Sequence, residues 1–282
     1  CKQHNQFIRA RSRKEIVDQK CCKDFEFREY IDPQFGFVTN RDESKKPTGR
    51  TSRVFTTRPY FAGFKKEGEK KQLPGIVTLS TVSPGFMVVL CEGRRGEGFY
   101  VCGVCGAGFK KWSECKDTHK TPLGKKCVAQ VESLRPEVSL GHEFITDAIQ
   151  LQFLPKPIDD VDLLEFAYSL SYALLEGAAE VLDIPSNNLN ATVSSGSHNN
   201  ALPPIILYDN VPGGAGLVAQ LEDFNTLKGS LQSALDRVTN CTGCTENSSC
   251  YSCLRSYRNQ FAHSFLQRGP VARYLNMIRS KW

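Results

Sequence analysis

Residues 241–253 read CTGCTENSSCYSC, four cysteines in a C-x2-C-x5-C-x2-C pattern. Thiolates separated by two residues can both reach one ion, because a Zn–S bond is only about 2.3 Å long. A disulfide seldom closes so short a loop without strain. Four thiolates fill a tetrahedral shell and leave no open position. The spacing therefore predicts a structural Zn2+ held by Cys241, Cys244, Cys250 and Cys253. Such a site contributes on the order of 10 kcal/mol to folding in zinc-finger peptides.

On the C-terminal side, Leu254, Tyr257, Phe261 and Phe265 recur at helical spacing, and Arg255 and Arg258 stand at i, i+3 on that same expected helix. Gly269-Pro270 breaks the pattern before a last helix from about Val271. On the N-terminal side, a helix is expected over 226–238. Residues 203–221, PPIILYDNVPGGAGLVAQL, read as strand, tight glycine loop and helix. That loop lacks the Gly-Lys-Ser/Thr of a P-loop and the G-x-G-x-x-G of a dinucleotide site. Close strand–helix packing is the stronger reading of its glycines, with Asp209 as a turn cap. Leu163, Ala167, Leu170, Leu174, Ala178 and Val181 form one face of a helix over 160–183, capped by Asp159 or Asp160 and ended by Pro185. Ahead of it, LGHEFITDAIQLQF (140–153) reads as a long strand, and a short strand is expected near 189–193.

The first half is β-rich. Strands are expected at 75–82 and 85–93, joined around Ser83-Pro84, and at 98–102. Aromatic alternation suggests another within 25–40, and 1–24 reads as a basic helix or arm. The strand at 98–102 feeds a second cysteine cluster, Cys102-x2-Cys105, like a zinc-ribbon knuckle. Cys115, His119 and Cys127 compete for its two remaining ligand places. His119 and Cys127 are favoured, because Pro122 and Gly124 make a turn that returns both. Cys115 is the alternative. The fold class is thus mixed α+β: a β-rich first half with a zinc-ribbon-like knuckle, and an α/β second half with a four-Cys zinc site. The chain divides into a basic accessory region, 1–97, and a zinc-binding domain, 98–282.

Charge is distributed unevenly along the 282 residues, whose formal net charge is +6. Residues 1–135 carry +12, residues 136–240 carry −11, and residues 241–282 carry +5. Dense Lys and Arg attract phosphate backbones by releasing counterions. Arg50, Arg53, Arg58, Lys110, Lys111, Arg255 and Arg258 are the expected phosphate contacts; an acidic neighbour, including 136–240, is the competing partner. With 40% apolar and 23% charged residues, the chain has ordinary globular composition. No run approaches the roughly 20 apolar residues of a membrane span. The absence of a secretory leader and the metal-like use of its cysteines point to a cytoplasmic protein. A first residue other than Met suggests a piece of a longer polypeptide.

No Walker lysine motif, G-x-S-x-G or H-E-x-x-H is present, so no catalytic residue is assigned. Glu143, Asp147 and Asp209 offer a carboxylate set for a metal-dependent nuclease; links between neighbouring strands are the plainer account of them.

Three segments together carry a resemblance: residues 140–153, ILYDNVPGGAGLV (206–218), and the cysteine run continuing as CYSCLRSYRNQFAH (250–263). They resemble the helicase-associated zinc-binding domain of unknown function, over roughly 98–280. That domain occurs at the C-terminus of the mitomycin-repair helicase family and in DISARM and Druantia-type antiphage defence proteins. The resemblance implies a four-Cys zinc site at Cys241, Cys244, Cys250 and Cys253. It implies a DNA-dependent ATPase motor elsewhere in the chain or complex, with DNA and that motor as partners. It also matches Cys102, Cys105, His119 and Cys127 to a first metal site, with one residue inserted in HKTPLGKKC (119–127). One zinc ion is expected, and the first cluster offers a second. The implied role is an accessory module of a bacterial superfamily 2 helicase or defence complex; a pure assembly domain is the alternative.

Overall fold

The computed structural model describes residues 29–32, 57–64, 68–93, 96–115, 118–129, 133–194 and 201–282. It is a mixed α+β fold. Its strands are β1 (Tyr30–Ile31), β2 (Thr57–Phe64), β3 (Lys70–Leu73), β4 (Val77–Cys91), β5 (Phe99–Cys102), β6 (Gly108–Phe109), β7 (Thr118–Lys120), β8 (Lys126–Val128), β9 (Leu134–Phe153), β10 (Leu189–Val193) and β11 (Ile205–Asp209). The α-helices among the described residues are α1 (Leu163–Val181), α2 (Phe224–Thr239) and α3 (Arg268–Arg279). None is long and apolar enough to cross a membrane.

The chain folds into two compact units and enters each more than once. One takes in Pro59–Val88 and Glu143–Trp282; the other takes in Val89–His142 and the described part of Phe27–Arg58. In the first unit the strand order is β10-β11-β9-β4-β2, with β3 paired to β4. Antiparallel pairing sets Leu207 opposite Ile149 and Ile205 opposite Leu151. These buried residues, together with Leu189, Ala191 and Val193, face the helical layer and join its core. Helix α1 packs on β10, β11, α2 and α3, so it is apolar nearly all round.

Local chemistry explains the helix ends. Asp162, not Asp159 or Asp160, caps α1: its carboxylate accepts the amides of Leu164 and Glu165, both at 2.9 Å. The helix closes where Asp183 turns left-handed (φ 53°) and the Ile184 amide donates back to the Ala179 carbonyl. Asp223 caps α2 in the same way.

Three local expectations are corrected. Ser83-Pro84 is no turn, because β4 runs unbroken from Val77 to Cys91 between two neighbours, whose pairing outweighs the local turn signal. Gly269-Pro270 does not break a helix but lies in the first turn of α3, where an absent N–H costs nothing. Residues 254–265 are turns with one short 3-10 segment, Gln260–Ala262, so Arg255 and Arg258 share no helical face. The expected arm at 1–24 and most of the strand at 25–40 lie outside the described residues.

In the second unit, β1 runs parallel to β9, pairing Tyr30 with Ser139. Strand β5 pairs with the start of β9 and with β6. Strands β7 and β8 form a separate two-stranded hairpin with His119 opposite Cys127.

Candidate metal centres

Helix α2 ends at Thr239, and the chain turns at once into the first cysteine pair. The second pair sits on a tight turn, where the amides of Cys253, Leu254 and Arg255 all donate to the Cys250 carbonyl at 2.9–3.2 Å. The Cys250 amide in turn donates to the Cys253 sulfur at 3.2 Å. The four sulfurs converge, with Cys241–Cys250 at 3.5 Å, Cys244–Cys253 at 3.7 Å, and Cys241–Cys244 and Cys250–Cys253 at 3.8 Å. A tetrahedron with Zn–S bonds of about 2.3 Å has edges of about 3.8 Å, whereas a disulfide needs about 2.05 Å. The donor set and its spacing fit zinc.

Burial pushes the Cys244 thiol up, and Cys253 to about 12. At Cys250 burial acts the same way, but the Ser252 amide and the three neighbouring thiols outweigh it and bring it down to about 7. One thiolate is thus already stabilised by the donors around it, as a cation site requires.

Two arginines that sequence reasoning missed hold this loop. Arg268 donates to the Cys244 carbonyl from Nε and Nη2 at 3.3 and 3.1 Å, and to the Val238 carbonyl from Nη1 at 3.0 Å. Arg237 donates to the Cys253 carbonyl at 3.0 Å and pairs with Glu176 at 3.0 Å. Their positive charge sits beside a thiolate cluster that carries excess negative charge when one divalent ion is bound. Nothing in the spacing marks them, since both come from helices flanking the loop.

The second cluster lies in the other unit. Strand β5 delivers Cys102, and a turn closed by the Gly106 amide on the Cys102 carbonyl (2.8 Å) carries Cys105. The hairpin delivers His119 and Cys127 from directly opposed positions. Their ligand atoms all lie within 4.8 Å of one another, as do those of the four-Cys group. His119 Nε2 is 3.2 Å from the Cys105 sulfur, and the Phe109 ring stands edge-on to the imidazole at 5.1 Å. Burial raises the Cys102 thiol, yet the Cys105 and Val104 amides and the Cys105 and His119 side chains outweigh it and lower it to about 7. Burial also takes Cys127 up, to about 11. Cys115 is not in the group; its thiol donates to the Lys111 carbonyl at 3.6 Å.

The basic candidates fall in different surroundings. Lys110 and Lys111 are exposed in the second unit. Arg58 is half-buried on β2, and Arg50 and Arg53 lie outside the described residues. Arg255 donates to Ser249 Oγ at 3.0 Å and to the His263 carbonyl at 3.1 Å, bracing the metal loop. Arg258 donates to the Asn187 carbonyl at 2.6 Å.

The glycine loop is organised from inside. Fully buried Asp209 accepts the amides of Ala215, Leu217 and Val218 at 2.7–3.0 Å, and Asp147 accepts that of Gly216 at 3.1 Å. These amides therefore point at protein carboxylates and not at a phosphate. At Gly214 (φ 79°) the Asp147 carboxylate occupies the place a Cβ would take. Among the described residues, Glu143, Asp147 and Asp209 form no converging ligand group.

Residues 170–254 match the model of the MrfA Zn-binding domain. The chain is 29% identical over 203 residues to Druantia protein DruE of Escherichia coli (strain UMEA 4076-1), covering 61% of this chain and 10% of that protein. It thus spans about a tenth of the length of this curated relative. Among solved structures it is similar to the DUF1998 helicase MrfA bound to DNA, at 15% identity and a TM-score of 0.43, covering 81% of this chain and 26% of that one. MrfA bound to DNA and AMPPNP gives 14% identity and a TM-score of 0.34, covering 80% and 23%. Residues 170–254 thus match the MrfA-type zinc-binding domain, in agreement with the helicase-associated family that the sequence resembles.

Proposed function

We propose that this chain is an accessory module held together by two zinc ions, working beside an ATP-driven DNA helicase motor in a repair or antiphage defence system. Cys241, Cys244, Cys250 and Cys253 hold one ion; Cys102, Cys105, His119 and Cys127 hold the other. Its task is to hold DNA against the motor. The observation that carries this reading is the four-sulfur tetrahedron lying within the stretch that matches the MrfA domain. Druantia protein DruE, similar in sequence over 61% of the chain, supports the same reading. Exposed Lys110 and Lys111 are the proposed phosphate contacts, together with Arg50, Arg53 and Arg58 from the sequence reading. Reduced, metal-bound cysteines suit a cytoplasmic setting.

The test is binding of the full chain to DNA over a range of salt. Phosphate contacts make log K fall linearly with log salt, by about 0.9 per contact on a duplex. Absence of binding, or a flat salt response, would favour pure assembly with a partner subunit. One observation favours that second reading: the side chains of Arg255 and Arg258 already bond to carbonyls within the protein.

A further inference from the structure

The β7–β8 hairpin presents two faces of opposite character. Side chains alternate along a strand, so the pair His119–Cys127 and the flanking pairs Thr118–Val128 and Lys120–Lys126 point to opposite sides. His119 and Cys127 converge with Cys102 and Cys105. Lys120, Lys126 and Val128 are exposed on the other side, and Val128 keeps 71% of its surface. Lys120 and Lys126 are direct cross-strand neighbours, a register in which like charges repel. Neither has an ion-pair partner among the described residues. Lys125 adds a third exposed ammonium at the turn.

The turn is not free to spread this charge. The Thr121 amide donates to the Lys125 carbonyl at 2.7 Å, the Gly124 amide to the Thr121 carbonyl at 2.8 Å, and the Lys125 amide to Thr121 Oγ1 at 3.0 Å. A closed turn and two inward metal ligands keep the lysines together despite their repulsion. An anion placed over the pair relieves it.

We propose that the outer face of this hairpin, through Lys120, Lys125 and Lys126, grips the phosphate backbone of a nucleic acid. This rests on the DNA-holding role proposed above and assigns it to residues outside the basic set read from the sequence. The surface offers ammonium groups, which impose no fixed set of hydrogen-bond geometries. That suits a repeating backbone better than a discrete acidic peptide, since lysine binds phosphate as a point charge. The same unit exposes the ring of Trp112, 49% accessible and edge-on to Tyr100 at 5.4 Å, on which a base can stack.

The experiment uses the full chain and short labelled single-stranded and duplex oligonucleotides, with binding followed by anisotropy against salt. K120E/K126E is expected to weaken binding at least about 10-fold and to lower the salt slope by about 2. Its zinc content and melting should match wild type, and K281E, an exposed charge reversal in the other unit, should leave binding nearly unchanged. W112A should weaken single-stranded binding more than duplex binding. Wild-type binding that K120E/K126E leaves unaltered overturns this assignment alone. A wild-type chain that binds neither oligonucleotide overturns it together with the DNA-holding role, and makes an acidic protein the occupant.

Discussion

The Ser230 carbonyl on α2 stands where a Cβ on residue 177 of α1 would lie, so Gly177 is a point of close approach between the two helices. The Ala234 amide nitrogen and Cβ crowd the same space, at 2.8 and 3.0 Å from that position. Glycine in a helix interior costs about 1 kcal/mol relative to alanine, so G177A gains that much locally. Backbone atoms cannot swing aside, so the helices must part, at an overpacking cost of about 1–3 kcal/mol. A net loss of up to about 2 kcal/mol is expected in chemical denaturation. A higher midpoint would show that the helices separate freely.

Metal removal should act on each centre separately. C241S/C244S is expected to lose one zinc per chain and to unfold the tail, because the loop links α2 to α3 and binding contributes on the order of 10 kcal/mol. C102S/C127S should lose the other ion and leave the helical melting transition in place. Elemental analysis and circular dichroism read the two outcomes. Full zinc content in either variant contradicts the ligand assignment.

Asp209 should matter for stability and not for catalysis. Its carboxylate accepts three backbone amides in a buried site, and an amide side chain turns an NH2 toward those donors. D209N is expected to cost about 3 kcal/mol. Wild-type chain incubated with magnesium and DNA should leave the DNA intact; cleavage abolished in D209N would revive a nuclease.

Acid should weaken the first unit through Glu222. The Lys71 ammonium at 2.7 Å, and then the Thr81 hydroxyl, hold its carboxyl below the usual carboxylate range. A carboxyl lower in the folded than in the unfolded chain stabilises fully above the unfolded value, about 4.3 for Glu, and loses that contribution as pH falls through the folded value. The stability gap between wild type and E222Q should therefore be open near neutrality and close on acidification. Urea midpoints for both proteins across that interval check this, and comparing the two cancels the loss of zinc that acid also causes. A gap indifferent to pH would mean that Glu222 acts by packing alone.

Some of this architecture was legible locally. The periodicity of 160–183 revealed α1 because a helix between a sheet and two other helices must be apolar at nearly every turn. The single strand through Pro84 was not legible, since the turn propensity of Ser83-Pro84 is local while the pairing that overrides it comes from distant segments. Arg237 and Arg268 were equally invisible: an arginine in a helix looks like a solvated charge until a carbonyl is seen against it.

By itself, the sequence determined which thiols stand close enough along the chain to share an ion, because two or five intervening residues limit how far apart they can be. Only the tertiary structure decided that His119 and not Cys115 meets Cys102 and Cys105, and that Lys120 and Lys126 stand side by side. Those outcomes depend on strand register, and register is set by long-range pairing and side-chain burial that no short stretch of sequence contains.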